Sequence, residues 1–302
     1  MRLVEINAAS PPAANDLAAE LEQGNIVYLP SSPLAPSFGD AHILSDINRL
    51  DTSVHKNIAY KPAQDKLTGL KGVSSTVHHD VHRVLRGHSN KVIELLRSLI
   101  PRYAEGWRID YASFRPQEEE GRDLPWKKRN DLLHVDAFPT RPTRGDLILR
   151  VFTNVNPKKP RAWLTSEPFA WIAQRYGKDA GLDQYAKAAR SPGARTVRKI
   201  AGALGRIGLP FRDRTPYDSF MLHFHDYLKS RTDYQQSCPK YRFDFPPEST
   251  WLTFTDIVPH AVLSGQFALE QTFLISRNSL ALPEAAPAAI LERLAGVSLT
   301  ES

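Results

Sequence analysis

Cysteine is almost missing: Cys238 is the single thiol in 302 residues. One thiol excludes an internal disulfide framework and any thiolate-rich zinc or iron–sulfur site, and it fits a reducing compartment such as the cytoplasm. Long apolar runs are missing as well. No stretch approaches the roughly 18–20 apolar residues that span a bilayer. Met1-Arg2-Leu3-Val4-Glu5-Ile6 also lacks the basic-then-apolar layout of a secretory signal. There are no internal repeats and no low-complexity linker. Acidic residues are in deficit, 33 against 39 basic, for a net charge of +6. That imbalance favours an anionic partner: a phosphorylated or carboxylated sugar, a nucleic acid or an acidic membrane surface. The basic residues do not interleave with aromatics as a base-stacking platform requires, so a nucleic acid is not expected.

The remaining composition, 41% hydrophobic and 24% charged, suits a soluble globular chain with a substantial core. Residues 13–22 read as a short helix and 25–29 as extended. Apolar positions repeat near every 3.6 residues from 76 to 100, where Pro101 ends the helix. Strand patterns follow at 107–114 and 146–155, separated by a charged loop at 117–130. The pattern is helical over 168–209 and 218–230, extended again at 250–254, around His260 and at 266–276, and helical near 283–294. A mostly helical 1–106, strands within 107–165 and 240–280, a helical insertion at 166–235 and a C-terminal helix in 281–302 suggest one domain. The expected class is α+β, mainly β with helices. Its core would be a double-stranded β-helix, a cupin-like jelly roll, with the helical insertion and flanking helices around it.

The most informative motif is His134-Val135-Asp136, followed 124 positions later by His260. In an extended strand residues i and i+2 share a face, so His134 and Asp136 would project together while Val135 packs the other way. The second histidine would come from a distant strand folded alongside, and Val258-Pro259-His260-Ala261-Val262 suits it. Two histidines and a carboxylate can occupy one face of an octahedral iron(II) ion and leave the other open for a bidentate co-substrate and oxygen. The same residues would equally serve as two half-buried histidines and a turn-forming aspartate before Pro139.

An iron of this kind that uses 2-oxoglutarate also needs a cation for the distal carboxylate. Arginine suits it, because its planar fork meets a carboxylate bidentately and stays charged. Arg150, in Leu147-Ile148-Leu149-Arg150-Val151-Phe152, and Arg277, after Phe273-Leu274-Ile275-Ser276, each sit in apolar surroundings and need an anion or a route to solvent. Asn154 would share the face of Arg150 and could hydrogen-bond the co-substrate or support the ligands. His78, His79 and His82 have no carboxylate at useful spacing and read as a helix surface. His223 and His225 lie in a helical pattern that could line the site.

With these residues in hand, the chain resembles the iron(II)/2-oxoglutarate-dependent dioxygenases. More narrowly, HVDAFPTRPTRGDLILRVFTNVN from His134 to Asn156, YASFRP at 111–116 and HAVLSGQFALEQTFLI at 260–275 resemble the Kdo hydroxylase family. Kdo is 3-deoxy-D-manno-octulosonic acid, a sugar acid of the lipopolysaccharide inner core. The similarity runs from about Lys56 onward. It implies iron(II) held by His134, Asp136 and His260, with 2-oxoglutarate and oxygen as co-substrates, succinate and carbon dioxide as by-products, and hydroxylation at C3 of Kdo on lipid A. The alternatives are a 2-oxoglutarate-dependent hydroxylase of a protein or other small molecule, and a non-catalytic jelly-roll module that binds an anionic saccharide.

A carboxylated, lipid-linked sugar implies basic contacts near the site, with Arg115, Arg141 and Arg144 as candidates. Residues 195–209 combine apolar positions at helical spacing with Arg195, Arg198, Lys199 and Arg206. That layout suits either a helix packed on the barrel or a peripheral contact with the cytoplasmic face of the inner membrane.

Overall fold

The computed structural model describes residues 1–47, 57–191, 193 and 214–301, so the 195–209 segment lies outside the described residues. Among the described residues are eleven strands: β1 (Leu3–Glu5), β2 (Ile26–Leu29), β3 (Ile58–Lys61), β4 (Lys66–Thr68), β5 (Trp107–Arg115), β6 (Leu147–Asn154), β7 (Arg161–Thr165), β8 (Tyr241–Phe245), β9 (Thr250–Phe254), β10 (His260–Ser264) and β11 (Ala268–Ile275). Eight form one sheet in the order β1-β2-β9-β6-β11-β5-β3-β4, and three form a second in the order β10-β7-β8. The two sheets face each other as an open jelly roll and do not close into a barrel. Among the described residues before β5, β1 and β2 extend one edge of the large sheet and β3 and β4 the other, beside the helices Ala14–Glu22, Phe38–Asp46 and Ser75–Leu99.

The period-2 alternation of each strand decides which layer it serves. Leu147, Leu149 and Val151 of β6, Val27 and Leu29 of β2, and Leu252 and Phe254 of β9 join the main core beneath the helices. Their neighbours Phe152, Ile26, Tyr28 and Trp251 point the opposite way and meet Trp163, Phe245 and Val262 of the small sheet. Trp251 stacks on Phe245 at 3.9 Å between ring centroids, and Trp163 meets Phe152 edge-on at 4.8 Å. Aromatic pairs of this geometry add about 0.5–1.5 kcal/mol each beyond their buried area.

The helix Ser75–Leu99 starts at Ser74, whose hydroxyl accepts from the Val77 amide, and buries Val81, Leu85, Val92, Leu96 and Leu99. The described part of the expected 168–209 helix forms Phe169–Tyr176 and Leu182–Arg190, with Gly181 at a positive φ of 81° between them. The helix Pro216–Ser230 begins with a capping box in which Thr215 and Asp218 satisfy each other's backbone amides. No helix among the described residues is long and apolar enough to cross a membrane.

One core residue makes a stability prediction. His88 is 6% exposed and its Nε2 has no hydrogen-bond partner. Burial, aided by Lys91, pulls its pKa down to about 4. An unfolded histidine titrates near 6.5. Between about pH 6.5 and 4 the unfolded chain therefore binds a proton that the folded chain refuses, and stability falls as pH falls through that window. From about pH 7.5 to 5 the wild type is expected to lose roughly 2 kcal/mol more unfolding free energy than His88→Leu. Urea denaturation at the two pH values checks this, and equal losses would clear His88 of the effect.

Candidate metal centre

The ligand motif is not a regular strand. Only His134 pairs, in an isolated antiparallel bridge with His260, while Val135 and Asp136 continue as an extended segment. The bridge is reciprocal: the His134 amide donates to the His260 carbonyl at 3.1 Å, and the His260 amide donates back at 2.9 Å. Two residues on, the Asp136 amide donates to Thr255 O at 2.9 Å, just past the end of β9. The segment thus ties the small sheet to the large one. Leu133 and Val135 enter the main core, which leaves His134 and Asp136 on the opposite side as their spacing requires.

Among the described residues no strand neighbours the outer edge of this segment, and side chains of Gln235 and His225 take that place. Gln235 accepts from the Leu133 amide at 3.0 Å and donates to its carbonyl at 2.9 Å. His225 bonds through Nδ1 to Val135 O at 2.8 Å, and its ring lies edge-on to His134 at 4.8 Å. The helix Pro216–Ser230 therefore lines the site, as its pattern allowed.

His134, Asp136 and His260 offer one ligand atom each, all within 4.8 Å of one another, and among the described residues they are the one such group of three. His134 Nδ1 bonds to Leu132 O at 2.7 Å and His260 Nδ1 to Val258 O at 2.9 Å, which fixes both rings with Nε2 free to ligate. Burial lowers the pKa of both histidines, so both stay neutral as metal ligands must. Burial alone would raise the Asp136 carboxyl, but the Arg150 guanidinium beside it outweighs burial and holds the group well below the usual carboxylate range. Two neutral imidazoles, one carboxylate and an open side fit iron(II). His82, by contrast, pairs with Asp65 at 3.1 Å on the surface and joins no cluster.

The triad opens onto a pocket whose lining includes Arg115, Asn130, Arg150, Phe152, Arg161 and Trp163. Trp163 stacks on His260 at 5.2 Å and walls one side. Arg150 is where the sequence places it, but it is already engaged: Nη2 lies 3.0 Å from Asp136 Oδ2 and Nη1 lies 2.7 Å from Glu270 Oε1. Arg115 donates from Nε to Glu270 Oε2 at 2.7 Å. Burial disfavours its charge, and Glu270 and then Glu119 more than restore it.

Two expected anchors lie elsewhere. Strand β11 ends at Ile275 and Ser276 caps a 3-10 turn, so Arg277 swings out to Glu292 at 3.3 Å and is not among the pocket residues. Asn154 spends its amide on backbone, donating to Lys159 O and Phe245 O at 3.0 Å each and accepting from the Asn156 amide. Arg141 is packed between Tyr111 and Phe138, 4.2 and 4.5 Å from their ring centroids, and bonds to Asp110 at 2.6 Å. Arg144 is exposed with a positive φ of 57°, and its amide donates to Asp218.

The residue the sequence hid is Arg161, one of three basic residues in the run Lys158-Lys159-Pro160-Arg161. It is 1% exposed and lines the pocket. Its Nη1 donates to Gly265 O at 2.8 Å, Nη2 lies 3.7 Å from Glu119, and Nε has no partner. Burial, and then the Arg115 charge, pull it down to about 10. Arg161 is therefore the pocket cation with least compensation.

Comparison with known proteins agrees with this geometry. Residues 5–298 match the family model for 3-deoxy-D-manno-oct-2-ulosonic acid (Kdo) hydroxylase. The apo structure of the Kdo hydroxylase KdoO, a non-heme Fe(II) α-ketoglutarate-dependent dioxygenase, is 34% identical with a TM-score of 0.83, covering 99% of this chain and 98% of that one. KdoO in complex with α-ketoglutarate and Fe(III) is 33% identical with a TM-score of 0.83, covering 99% and 97%. KdoO with succinate and Fe(III) is 34% identical with a TM-score of 0.82, covering 99% and 98%. No curated protein matches the chain. The match across nearly its whole length, around a buried two-histidine, one-carboxylate centre, makes this chain a member of the Kdo hydroxylase family.

Proposed function

We propose that this chain hydroxylates C3 of Kdo while the sugar is carried on lipid A. As a Kdo hydroxylase it is an iron(II)/2-oxoglutarate-dependent dioxygenase. The observation that carries the reading is the His134–Asp136–His260 group facing an arginine-lined pocket. Iron bound there supplies oxygen activation, driven by oxidative decarboxylation of 2-oxoglutarate to succinate and carbon dioxide. The chain's own work is positioning. His134 and His260 are locked by their Nδ1 bonds. Arg161, with donors to spare, anchors the distal carboxylate of 2-oxoglutarate in place of Arg277. Phe152, Trp163 and Val262 keep that wall of the pocket apolar, which excludes water from the reacting C–H bond.

The sugar carboxylate and the lipid phosphates meet cations around the opening. Arg115 is held by Glu270, Arg144 is exposed and not among the pocket residues, and Arg141 is the candidate that keeps a partly exposed guanidinium. A lipid-linked substrate and a net charge of +6 favour peripheral work at the cytoplasmic face of the inner membrane. Purified protein given iron(II), 2-oxoglutarate and oxygen with Kdo–lipid A is expected to yield succinate together with a sugar heavier by one oxygen atom. Fragmentation of that product locates the new hydroxyl. Succinate without oxygenated sugar would keep the chemistry and reject the substrate. Absence of both iron binding and succinate would overturn the reading.

A further inference from the structure

We propose that Glu270, acting through Arg150, positions Asp136 so that one carboxylate oxygen is reserved for the metal. The inference rests on the metal centre described above. On the sheet face that meets the pocket, Arg150 of β6 lies opposite Thr272 and Glu270 of β11 lies opposite Phe152, which makes Arg150 and Glu270 diagonal neighbours. Arg115 of β5 lies opposite Ala268 and Glu270 opposite Ser113, a second diagonal pair. The result is a buried chain: Arg115 Nε to Glu270 Oε2 at 2.7 Å, Glu270 Oε1 to Arg150 Nη1 at 2.7 Å, and Arg150 Nη2 to Asp136 Oδ2 at 3.0 Å.

Asp136 Oδ1 is left facing His134 Nε2 at 3.9 Å, on the side where the ligand atoms converge. With Nη1 held by Glu270, Arg150 presents Nη2 to Asp136 Oδ2 and cannot close its terminal Nη1/Nη2 fork on both carboxylate oxygens. Without Glu270, a guanidinium flanked by Leu149 and Val151 would turn both donors to Asp136 and compete with the metal. Glu270 and Arg150 are thus positioning residues, and neither needs to touch iron.

Cobalt(II) titration of the metal-free protein tests this without turnover. Glu270→Gln and Arg150→Lys are each expected to weaken cobalt(II) binding by about 10- to 100-fold, the scale for losing a group that orients a metal ligand. Each should also change the visible absorption of bound cobalt(II), which a purely structural role would leave alone. The double variant should bind no worse than the weaker single one, because both act through one chain. Thermal melting of the metal-free proteins is the fold control, and either variant alone suffices if the other does not fold. Wild-type affinity and spectrum in the folded variants, or fully additive losses, would overturn the proposal. Wild-type cobalt(II) binding by Asp136→Ala would instead overturn the metal centre itself.

Discussion

Asp136→Ala is expected to abolish stable iron(II) binding and to lower hydroxylation by about a thousandfold or more, since a catalytic metal contributes several kcal/mol and each 1.4 kcal/mol is a factor of ten. The triad supplies a single anionic ligand, and two neutral imidazoles hold a divalent cation far less well than two imidazoles and a carboxylate. The fold should survive, because Arg150 keeps its 2.7 Å pair with Glu270 and is not left without a counter-charge. His134→Ala and His260→Ala are expected to follow on activity, His260→Ala with an added stability cost because Trp163 loses its stacking partner. Anaerobic iron(II) titration with succinate detection checks all three. An Asp136→Ala protein that binds iron(II) like the wild type would remove the carboxylate from the centre.

The triad was legible because its geometry is local. His134 and Asp136 share a face through backbone alternation alone, and that survives even though the segment is an extended linker with one bridge. The support around it was not legible. Gln235 and His225 replace a missing strand neighbour for Leu133 and Val135, about a hundred residues away in sequence, and no periodicity announces that pairing. Arg277 misled because strand β11 stops two residues short of it. Arg161 was hidden because a basic run after Asn156-Pro157 reads as a loop, whereas β7 in fact begins at Arg161 itself.

Glu270 shows how far one rule extends. A charged residue inside an apolar strand needs a partner, and that reasoning, which picks out Arg150, applies equally to Glu270 in Ala268-Leu269-Glu270-Gln271-Thr272. The two satisfy each other across neighbouring strands. The pairing of β6 with β11 and of β11 with β5 therefore does more than build a sheet: it sets three charged side chains on one face, and Arg150 among them reaches the candidate ligand Asp136.

Arg161→Gln is expected to raise the KM for 2-oxoglutarate by about a hundredfold, the effect of roughly 3 kcal/mol for removing one partner of a buried charge pair. Iron(II) affinity should stay near wild type. The argument is one of leftover capacity. Arg150 is occupied by Asp136 and Glu270, Arg115 by Glu270, but Arg161 holds only one short bond, to Gly265 O at 2.8 Å. An anchor that binds ground state and transition state alike shows in KM more than in kcat. Arg161→Lys should recover part of the affinity, because it restores the charge without the planar fork. Unchanged 2-oxoglutarate affinity in Arg161→Gln, with loss in Arg115→Gln instead, would move the anchor to Arg115. Gly265 offers an independent check: it sits at φ 124°, and a Cβ there would fall 2.7 Å from Arg161 Cγ. Gly265→Ala should therefore displace the guanidinium and weaken 2-oxoglutarate binding without altering any charge, since only glycine lets that turn close over the arginine stem.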